Sequence, residues 1–256
     1  MTPTLDEMHV MYCQALGRIT GISPEGVTAR VGPWLCVDAG LGVSKFNVAV
    51  PVEPVDRPRE QVREANNWFA ERGLNCRLDL RGSTDGAALA AAMVDGFTFW
   101  NRQPAMSLHP LPVGDERSTG LEILDASSAS DVERYCEVDR EEFGDQEFQA
   151  AMANHAARLP GVTLHLGLLD GRPVARSMSI TNGALVGVYN VYVAPSQRNR
   201  GFGAKMTMAA VERGRRDGAV AACLESTVEA FALYERLGFR RVDDYVIVGT
   251  DAPAFL

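Results

Sequence analysis

The chain has 256 residues, of which 46% are hydrophobic and 23% are charged. This composition suits a globular protein of one or two domains and excludes a disordered chain. The formal net charge of -8 at pH 7 argues against general nucleic-acid binding and mildly favours a cationic or amine substrate. No apolar run is long enough to span a membrane, and residues 1–10 lack a signal-peptide pattern. We therefore expect a cytoplasmic protein without a membrane or nucleic-acid partner.

The cysteines and histidines show no metal-ligand or redox spacing. The five cysteines are Cys13, Cys36, Cys76, Cys136 and Cys223. The four histidines are His9, His109, His155 and His165. An odd, scattered set of cysteines favours buried, reduced thiols in the cytoplasm. Because the histidines do not cluster either, we expect no metal site.

Hydrophobic periodicity predicts alternating strands and helices in the first half of the chain. The predicted helices cover residues 1–17, 60–72 and 85–94. The predicted strands cover residues 27–30, 34–38, 46–50 and 76–80. Pro51 ends the third of these strands, because proline cannot donate a ladder hydrogen bond.

Residues 104–120 contain three prolines and two glycines, which predicts a linker between two domains. Beyond the linker, the predicted strands cover residues 121–124, 162–169, 173–181, 184–193 and 220–224. The predicted helices cover residues 128–142, 145–158, 204–213 and 230–237, and a last strand begins at Phe239.

The stretch over residues 189–203 reads as a strand that leads through a turn into a helix. Val191 and Val193 keep the alternation of a strand, and Pro195 ends it. Gly201 and Gly203 allow a tight turn whose N–H groups point outward at the start of the next helix. Such a turn collects unsatisfied donors and the positive end of the helix dipole. The pattern therefore predicts an anion site suited to a phosphate or pyrophosphate.

Two common phosphate-binding loops do not fit this stretch. A P-loop requires Gly-Lys-Ser/Thr, but Gly203 is followed by Ala204. A dinucleotide fingerprint requires a third glycine three residues later, where this chain has Met206. What remains is Arg198-x-x-Gly201-x-Gly203.

A second motif, Leu233-Tyr234-x-x-x-Gly238-Phe239, follows after the predicted strand over 220–224. The two motifs in this order resemble the GNAT superfamily of acyl-CoA-dependent N-acyltransferases over roughly the C-terminal 135 residues. The resemblance implies an α/β fold (α+β mixed sheet), in which a mixed, mostly antiparallel sheet is flanked by helices. It places a GNAT N-acetyltransferase domain at residues 118–256.

The first half echoes the second. Gly96-Phe97 is repeated by Gly238-Phe239, and Val50-Pro51 is matched by Ala194-Pro195 at nearly the same offset. We infer two tandem GNAT-like domains. The alternative is that two unrelated segments share a common strand and helix order.

The copy at residues 1–117 would then be degenerate. Ala92 stands where the second copy has Tyr234, and no Arg-x-x-Gly-x-Gly follows Pro51. Acidic residues in that loop would repel a pyrophosphate. We expect a structural or substrate-shaping role for this copy.

The resemblance implies an enzyme that moves an acetyl (acyl) group from acetyl-CoA to an amine of a small molecule or peptide. By position, the Val191 N–H would hold the oxyanion, and Val193 would bind the amide-bearing arm of CoA. Tyr234 would protonate the leaving thiolate. Thr227 stands where an asparagine often contacts CoA. The pyrophosphate would bind the amides of Arg198, Asn199, Arg200, Gly201, Phe202, Gly203 and Ala204.

Several alternatives stay open. Some family members have a general base where this chain has Gly187, so the base is unassigned between Glu225, His165 and a water chain. Acidic residues near the junction of the first two helices of the second domain would line the acceptor pocket or form a solvated face. These residues are Glu137, Asp139, Glu141 and Glu142. A non-catalytic acyl-CoA sensor, a structural partner-binding protein, a longer acyl group, a hydroxyl acceptor and a homodimer also remain open.

Overall fold

The computed structural model describes residues 2–18, 22–41, 44–114, 120–144 and 147–251. The α-helices are α1 Leu5–Arg18, α2 Pro58–Ala70, α3 Gly86–Val94, α4 Ala129–Glu137, α5 Arg140–Phe143, α6 Glu147–Ala156, α7 Phe202–Arg216 and α8 Phe231–Arg236. The strands are β1 Val27–Val31, β2 Trp34–Asp38, β3 Asn47–Pro51, β4 Arg77–Arg81, β5 Thr98–Leu108, β6 Glu122–Asp125, β7 Val162–Leu169, β8 Arg172–Asn182, β9 Leu185–Val193, β10 Ala221–Glu225 and β11 Arg240–Gly249. The protein thus has the mixed α/β fold that the sequence predicts.

Backbone contacts divide the chain into two compact units, each built from several stretches. The N-terminal unit comprises Leu5–Met106, Glu225–Phe231 and Arg241–Leu256. The C-terminal unit comprises Met1–Thr4, Ser107–Leu224 and Ala232–Arg240. The predicted domain boundary between residues 117 and 118 lies outside the described residues. The division into domains 1–117 and 118–256 therefore stays a prediction.

In the N-terminal unit the strand order is β1-β2-β3-β4-β11-β5. Strands β1 to β3 pair antiparallel, β3 and β4 pair parallel, and β11 pairs antiparallel with β4. The core includes the fully buried side chains of Trp34, Phe69, Leu78 and Leu80. Helix α2 contributes Phe69 because its apolar residues recur at helical spacing.

In the C-terminal unit the strand order is β10-β9-β8-β7-β6. Strands β6 to β9 pair antiparallel, whereas β9 and β10 pair parallel. Helix α7 packs closely on this sheet. A Cβ atom at Gly214 would lie 2.3 Å from the Cβ of Val186, so only glycine fits where α7 crosses β9. The buried Phe202 and Met206 anchor the start of α7 in the core.

The two units repeat one connection. In each, the last strand of an antiparallel series leads through a helix to a parallel neighbour, as β3-α2-β4 and β9-α7-β10. A short helix and a further strand follow in both halves of the chain. This repetition supports the predicted duplication.

The structure corrects two predicted elements. The linker predicted over 104–120 starts too early, because β5 continues through Pro104 to Leu108, and the Pro104 carbonyl accepts the Ser226 N–H at 2.8 Å. The helix predicted over 128–142 is two helices, because Asp139 leaves the helical conformation, with φ -104° and ψ 3°. Its buried carboxylate pairs with Arg176 instead of facing solvent.

Among the helices of the described ranges, none combines the length and the apolar character that crossing a membrane requires.

Candidate functional site

Strand β9 carries a bulge near its end. Tyr192 pairs with Arg176 and Tyr189 pairs with Met178, so two residues of β9 stand opposite the single Ser177 of β8. One of the two, Asn190, has a positive φ of 51°, which asparagine tolerates better than most residues. The other is Val191. A bulge leaves ladder groups unpaired and re-aims the strand. Val191, whose N–H is the predicted oxyanion donor, therefore lies where the regular ladder is broken.

The chain then turns into α7. A short 3-10 turn, Pro195–Gln197, follows β9, and the Arg198 N–H donates to the Pro195 carbonyl at 3.3 Å. Asn199 and Gly201 both have left-handed backbones, with φ values of 64° and 81°. Gly201 is the residue before the first turn of α7, and its carbonyl accepts the Lys205 N–H at 3.1 Å.

Residues 198–204 form what we call the amide turn. Across the described ranges, no backbone carbonyl or side chain accepts a hydrogen bond from the N–H groups of Asn199 to Ala204. These groups include the first N–H groups of α7, which lack an acceptor within the helix and carry its positive dipole end. The Arg198 N–H is already engaged, so the free donors begin one residue later than the sequence predicts.

Helix α8 packs against the amide turn through Leu233, the neighbour of Tyr234 in the chain. A Cβ atom at Gly203 would lie 3.3 Å from Leu233 Cδ2 and 3.8 Å from Val193 Cγ2, so α8, α7 and β9 meet at this glycine. Tyr234 is buried, and burial raises the pKa of its hydroxyl to about 12. A hydrogen bond with the Thr207 side chain acts on this pKa in the opposite direction. Tyr234 therefore keeps its proton at neutral pH.

Arg198 and Tyr192 share one carboxylate. Arg198 Nη2 and the Tyr192 hydroxyl each donate to Glu142 Oε2 at 2.5 Å. These two donors lower the pKa of Glu142, the Tyr192 hydrogen bond most and Arg198 next. Arg198 Nε also donates to the Val193 carbonyl at 3.1 Å.

The other two large side chains of the amide turn make local contacts. The Arg200 guanidinium bonds to the Gln197 side chain and lies 4.8 Å from the ring centroid of Phe202. The Phe202 side chain is buried in the core, so only its backbone faces the turn.

A buried ion pair lies behind the bulge. Arg176 Nη2 donates to Asp139 Oδ2 at 2.6 Å, and the guanidinium lies 5.0 Å from the ring centroid of Tyr135. Burial raises the pKa of Tyr135 to about 12, whereas the charge of Arg176 lowers it. Sequence reasoning named Asp139 but not its partner Arg176. The sequence signal for the bulge was Asn190, which interrupts a run of residues that favour strands.

The remaining candidates lie in other surroundings. Thr227 belongs to the N-terminal unit, where its hydroxyl accepts the Ala230 N–H at 3.3 Å. His165 is buried between Asp125 and Ser179, with both ring nitrogens at 3.0 Å from their partners. It therefore serves as a structural link between strands. A Cβ atom at Gly187 would lie 2.5 Å from the Tyr189 ring, so that ring occupies the space of a side chain.

Glu225, in the N-terminal unit, is the remaining candidate base. Burial raises the pKa of its carboxyl to about 7, and the charge of Asp79 adds to the shift. Within the described ranges, no group of three or more His, Cys, Asp or Glu residues could hold a metal ion.

Comparison with known proteins agrees with this geometry. Residues 129–239 match the model of the Acetyltransferase (GNAT) family. No curated protein matches the chain. Among solved structures, a GCN5-related N-acetyltransferase from Kribbella flavida is 20% identical, with 93% of this chain and 94% of that chain covered and a TM-score of 0.73.

Two further solved structures share the fold. A GCN5-related N-acetyltransferase from Sphaerobacter thermophilus is 19% identical, with 79% of this chain and 71% of that chain covered and a TM-score of 0.61. A tandem GNAT protein from the clavulanic acid biosynthesis pathway is 13% identical, with 92% and 94% covered and a TM-score of 0.62. The resemblance and the fold class predicted from sequence are confirmed. Residues 129–239 therefore form an acetyltransferase domain of the GNAT family.

Proposed function

We propose that the protein moves an acetyl (acyl) group from acetyl-CoA to an amine of a small molecule or peptide. The observation that carries this proposal is the run of N–H groups from Asn199 to Ala204, which find no acceptor among the described residues and follow a bulged strand. Backbone donors at a helix start suit a diphosphate, because they combine hydrogen bonds with the positive end of the dipole.

In this proposal the amide turn holds the diphosphate of acetyl-CoA. The left-handed backbone at Gly201 supports the assignment, since it lets successive N–H groups face outward without strain. Val193 would bind the amide-bearing arm, and Thr227 keeps its predicted CoA contact as a hypothesis. No residue of this set binds a metal in the proposed reaction.

The chemistry is a direct attack. The amine nitrogen bonds to the thioester carbon, the carbon–sulfur bond breaks, and the sulfur leaves as a thiolate. The Val191 N–H would stabilise the negative charge on the carbonyl oxygen. Tyr234 would give its proton to the thiolate, because its hydroxyl is protonated at neutral pH; the burial that raises its pKa to about 12 makes it a weaker acid.

The amine must lose a proton during the attack. Glu225, His165 and a water chain stay the candidates for its acceptor, and burial brings the pKa of the Glu225 carboxyl to about 7. A base with a pKa near the working pH is ionised enough to accept a proton and basic enough to hold it. His165 is less suitable, since both of its ring nitrogens have partners.

We also propose that residues 1–117 are a degenerate copy without a second CoA site. Ala92 of α3 corresponds in the sequence repeat to Tyr234, and it is fully buried. Its burial supports a packing role for that helix.

A turnover assay tests the function. Acetyl-CoA is mixed with a panel of small amines and peptides, and the released CoA thiol is measured. We expect turnover by the wild type, and a fall in kcat of about 100-fold for Tyr234→Phe, because general acid catalysis contributes effects of this size. The Kd of acetyl-CoA should be unchanged in this variant. Binding of acetyl-CoA without turnover on any amine would contradict an enzyme and favour an acyl-CoA sensor.

A further inference from the structure

The acidic side chains of helix α5 form hydrogen bonds with the end of β9 and with the amide turn. Glu142 accepts hydrogen bonds at 2.5 Å from both the Tyr192 hydroxyl and Arg198 Nη2. The preceding Glu141 accepts the Ser196 hydroxyl at 3.3 Å. These contacts all lie within the C-terminal unit.

The side chain of Arg198 makes several contacts in this arrangement. Its Nε donates to the Val193 carbonyl at 3.1 Å, and its guanidinium lies 5.6 Å from the Tyr192 ring centroid. Glu142 therefore neutralises the charge of Arg198, the first residue of the amide turn. The Arg198 side chain is 47% exposed and that of Glu142 is 35% exposed, so a solute can reach both.

We propose that Glu142 is an autoinhibitory contact that competes with the diphosphate of acyl-CoA for Arg198. This inference rests on the proposed function, because that function supplies the diphosphate. Two effects act in the same direction: Glu142 cancels the charge of Arg198, and its own carboxylate repels an incoming diphosphate. Binding of acyl-CoA and docking of α5 through Glu142 therefore oppose each other.

The expected effect is modest, because water screens a half-exposed ion pair. Surface pairs of this kind change equilibria by about two- to fivefold. Glu142→Gln keeps the shape of the side chain and an oxygen for the Tyr192 hydroxyl, but it removes the negative charge. We expect this variant to bind acetyl-CoA about two- to fivefold more tightly than the wild type.

Isothermal titration calorimetry with acetyl-CoA tests the inference. Glu141→Gln is the matched control, since Glu141 has the same charge, lies on the same helix and bonds to Ser196 instead of Arg198. Its effect on Kd should be smaller than that of Glu142→Gln. In an Arg198→Ala background, Glu142→Gln should lose the part of its effect that acts through the charge of Arg198, which a double-mutant cycle measures.

Unchanged or weaker binding by Glu142→Gln would overturn the inference, and so would equal tightening by Glu141→Gln. In either case the wild type would still bind acetyl-CoA, and the proposed function would stand. If the wild type and the variants all failed to bind, the proposed function itself would be contradicted, and the autoinhibitory contact with it.

Discussion

The turn after β3 and the turn after β9 make the same strand-to-helix connection, but their residues differ in chemistry. Each follows a proline at the end of a strand, Pro51 or Pro195, and each leads into a helix that returns the chain to a parallel strand. After β9, the N–H groups from Asn199 to Ala204 stay unpaired within the described ranges. After β3, the run of N–H groups is interrupted, because the Arg57 N–H is bonded and Pro58 has none.

Four contacts close the turn after β3. The Val52 N–H donates to the Pro33 carbonyl at 2.8 Å, and Glu53 pairs with Arg30 at 2.6 Å. At the start of α2, the Arg57 N–H donates to the Gln61 side chain and the Gln61 N–H donates to the Arg57 carbonyl, both at 2.9 Å. The first helical residue is Pro58, which has no N–H. This turn thus lacks the unbroken run of N–H groups that the turn after β9 offers to an anion.

The comparison teaches that a repeated fold does not imply a repeated site. The strand-helix-strand connection sets the path of the backbone, but the turn residues decide whether N–H groups remain available. The turn after β9 contains a glycine with a left-handed backbone, whereas the turn after β3 contains prolines and acidic residues.

The largest expected effect comes from breaking the turn after β9. We expect Gly201→Asp to weaken acetyl-CoA binding by at least about 100-fold, because a side chain strains the backbone at φ 81° and a carboxylate repels the diphosphate. Calorimetry measures the Kd. Gly183→Asp is the matched control, since Gly183 also has a positive φ of 56° but lies in the hairpin between β8 and β9. Equal loss of binding in both variants would show that strain alone is responsible.

A smaller effect is expected for Glu225, one of the candidate bases. If Glu225 accepts the proton, the rate should rise with pH through about 7, because only the ionised carboxylate can act. Glu225→Gln should lose this rise and lower kcat by about 10- to 100-fold at pH 8. The measurement is kcat against pH for an acceptor amine whose own pKa is far from 7. A wild-type profile that is flat near pH 7, or a variant that keeps the rise, would argue for another base.

The smallest effect is expected in the turn after β3. Glu53→Gln removes the acidic charge and the ion pair with Arg30, but both side chains are largely exposed, at 65% and 46%. We expect no change in the Kd of acetyl-CoA and a change in unfolding free energy of less than about 1 kcal/mol. Calorimetry and urea unfolding measure the two quantities. Tighter binding would mean that this turn also holds a diphosphate.

Much of the fold follows from local sequence pattern. Strand β7 begins and ends at the residues that hydrophobic periodicity predicts, 162 and 169. The amide turn was visible because glycines, a proline and a basic residue occur at fixed spacing, and backbone conformation is what such residues specify. Its position relative to α8 required the second motif.

Tertiary contacts decided the rest. Pro104 suggested a linker, yet the strand continues because its carbonyl still accepts a hydrogen bond. Asp139 looked like part of a solvated face, but it is buried against Arg176. The bulge at Asn190 also escaped prediction, since it depends on pairing with β8. The roles of Val191, Val193 and Tyr234 stay predictions that the variants above address.

The number of acetyl-CoA molecules bound per chain tests the central claim most directly. Calorimetric titration of the wild-type protein should give one site per chain, held by the amide turn. A value of two would contradict the proposed loss of function in the first copy, and the absence of any binding would contradict the amide turn as a diphosphate site.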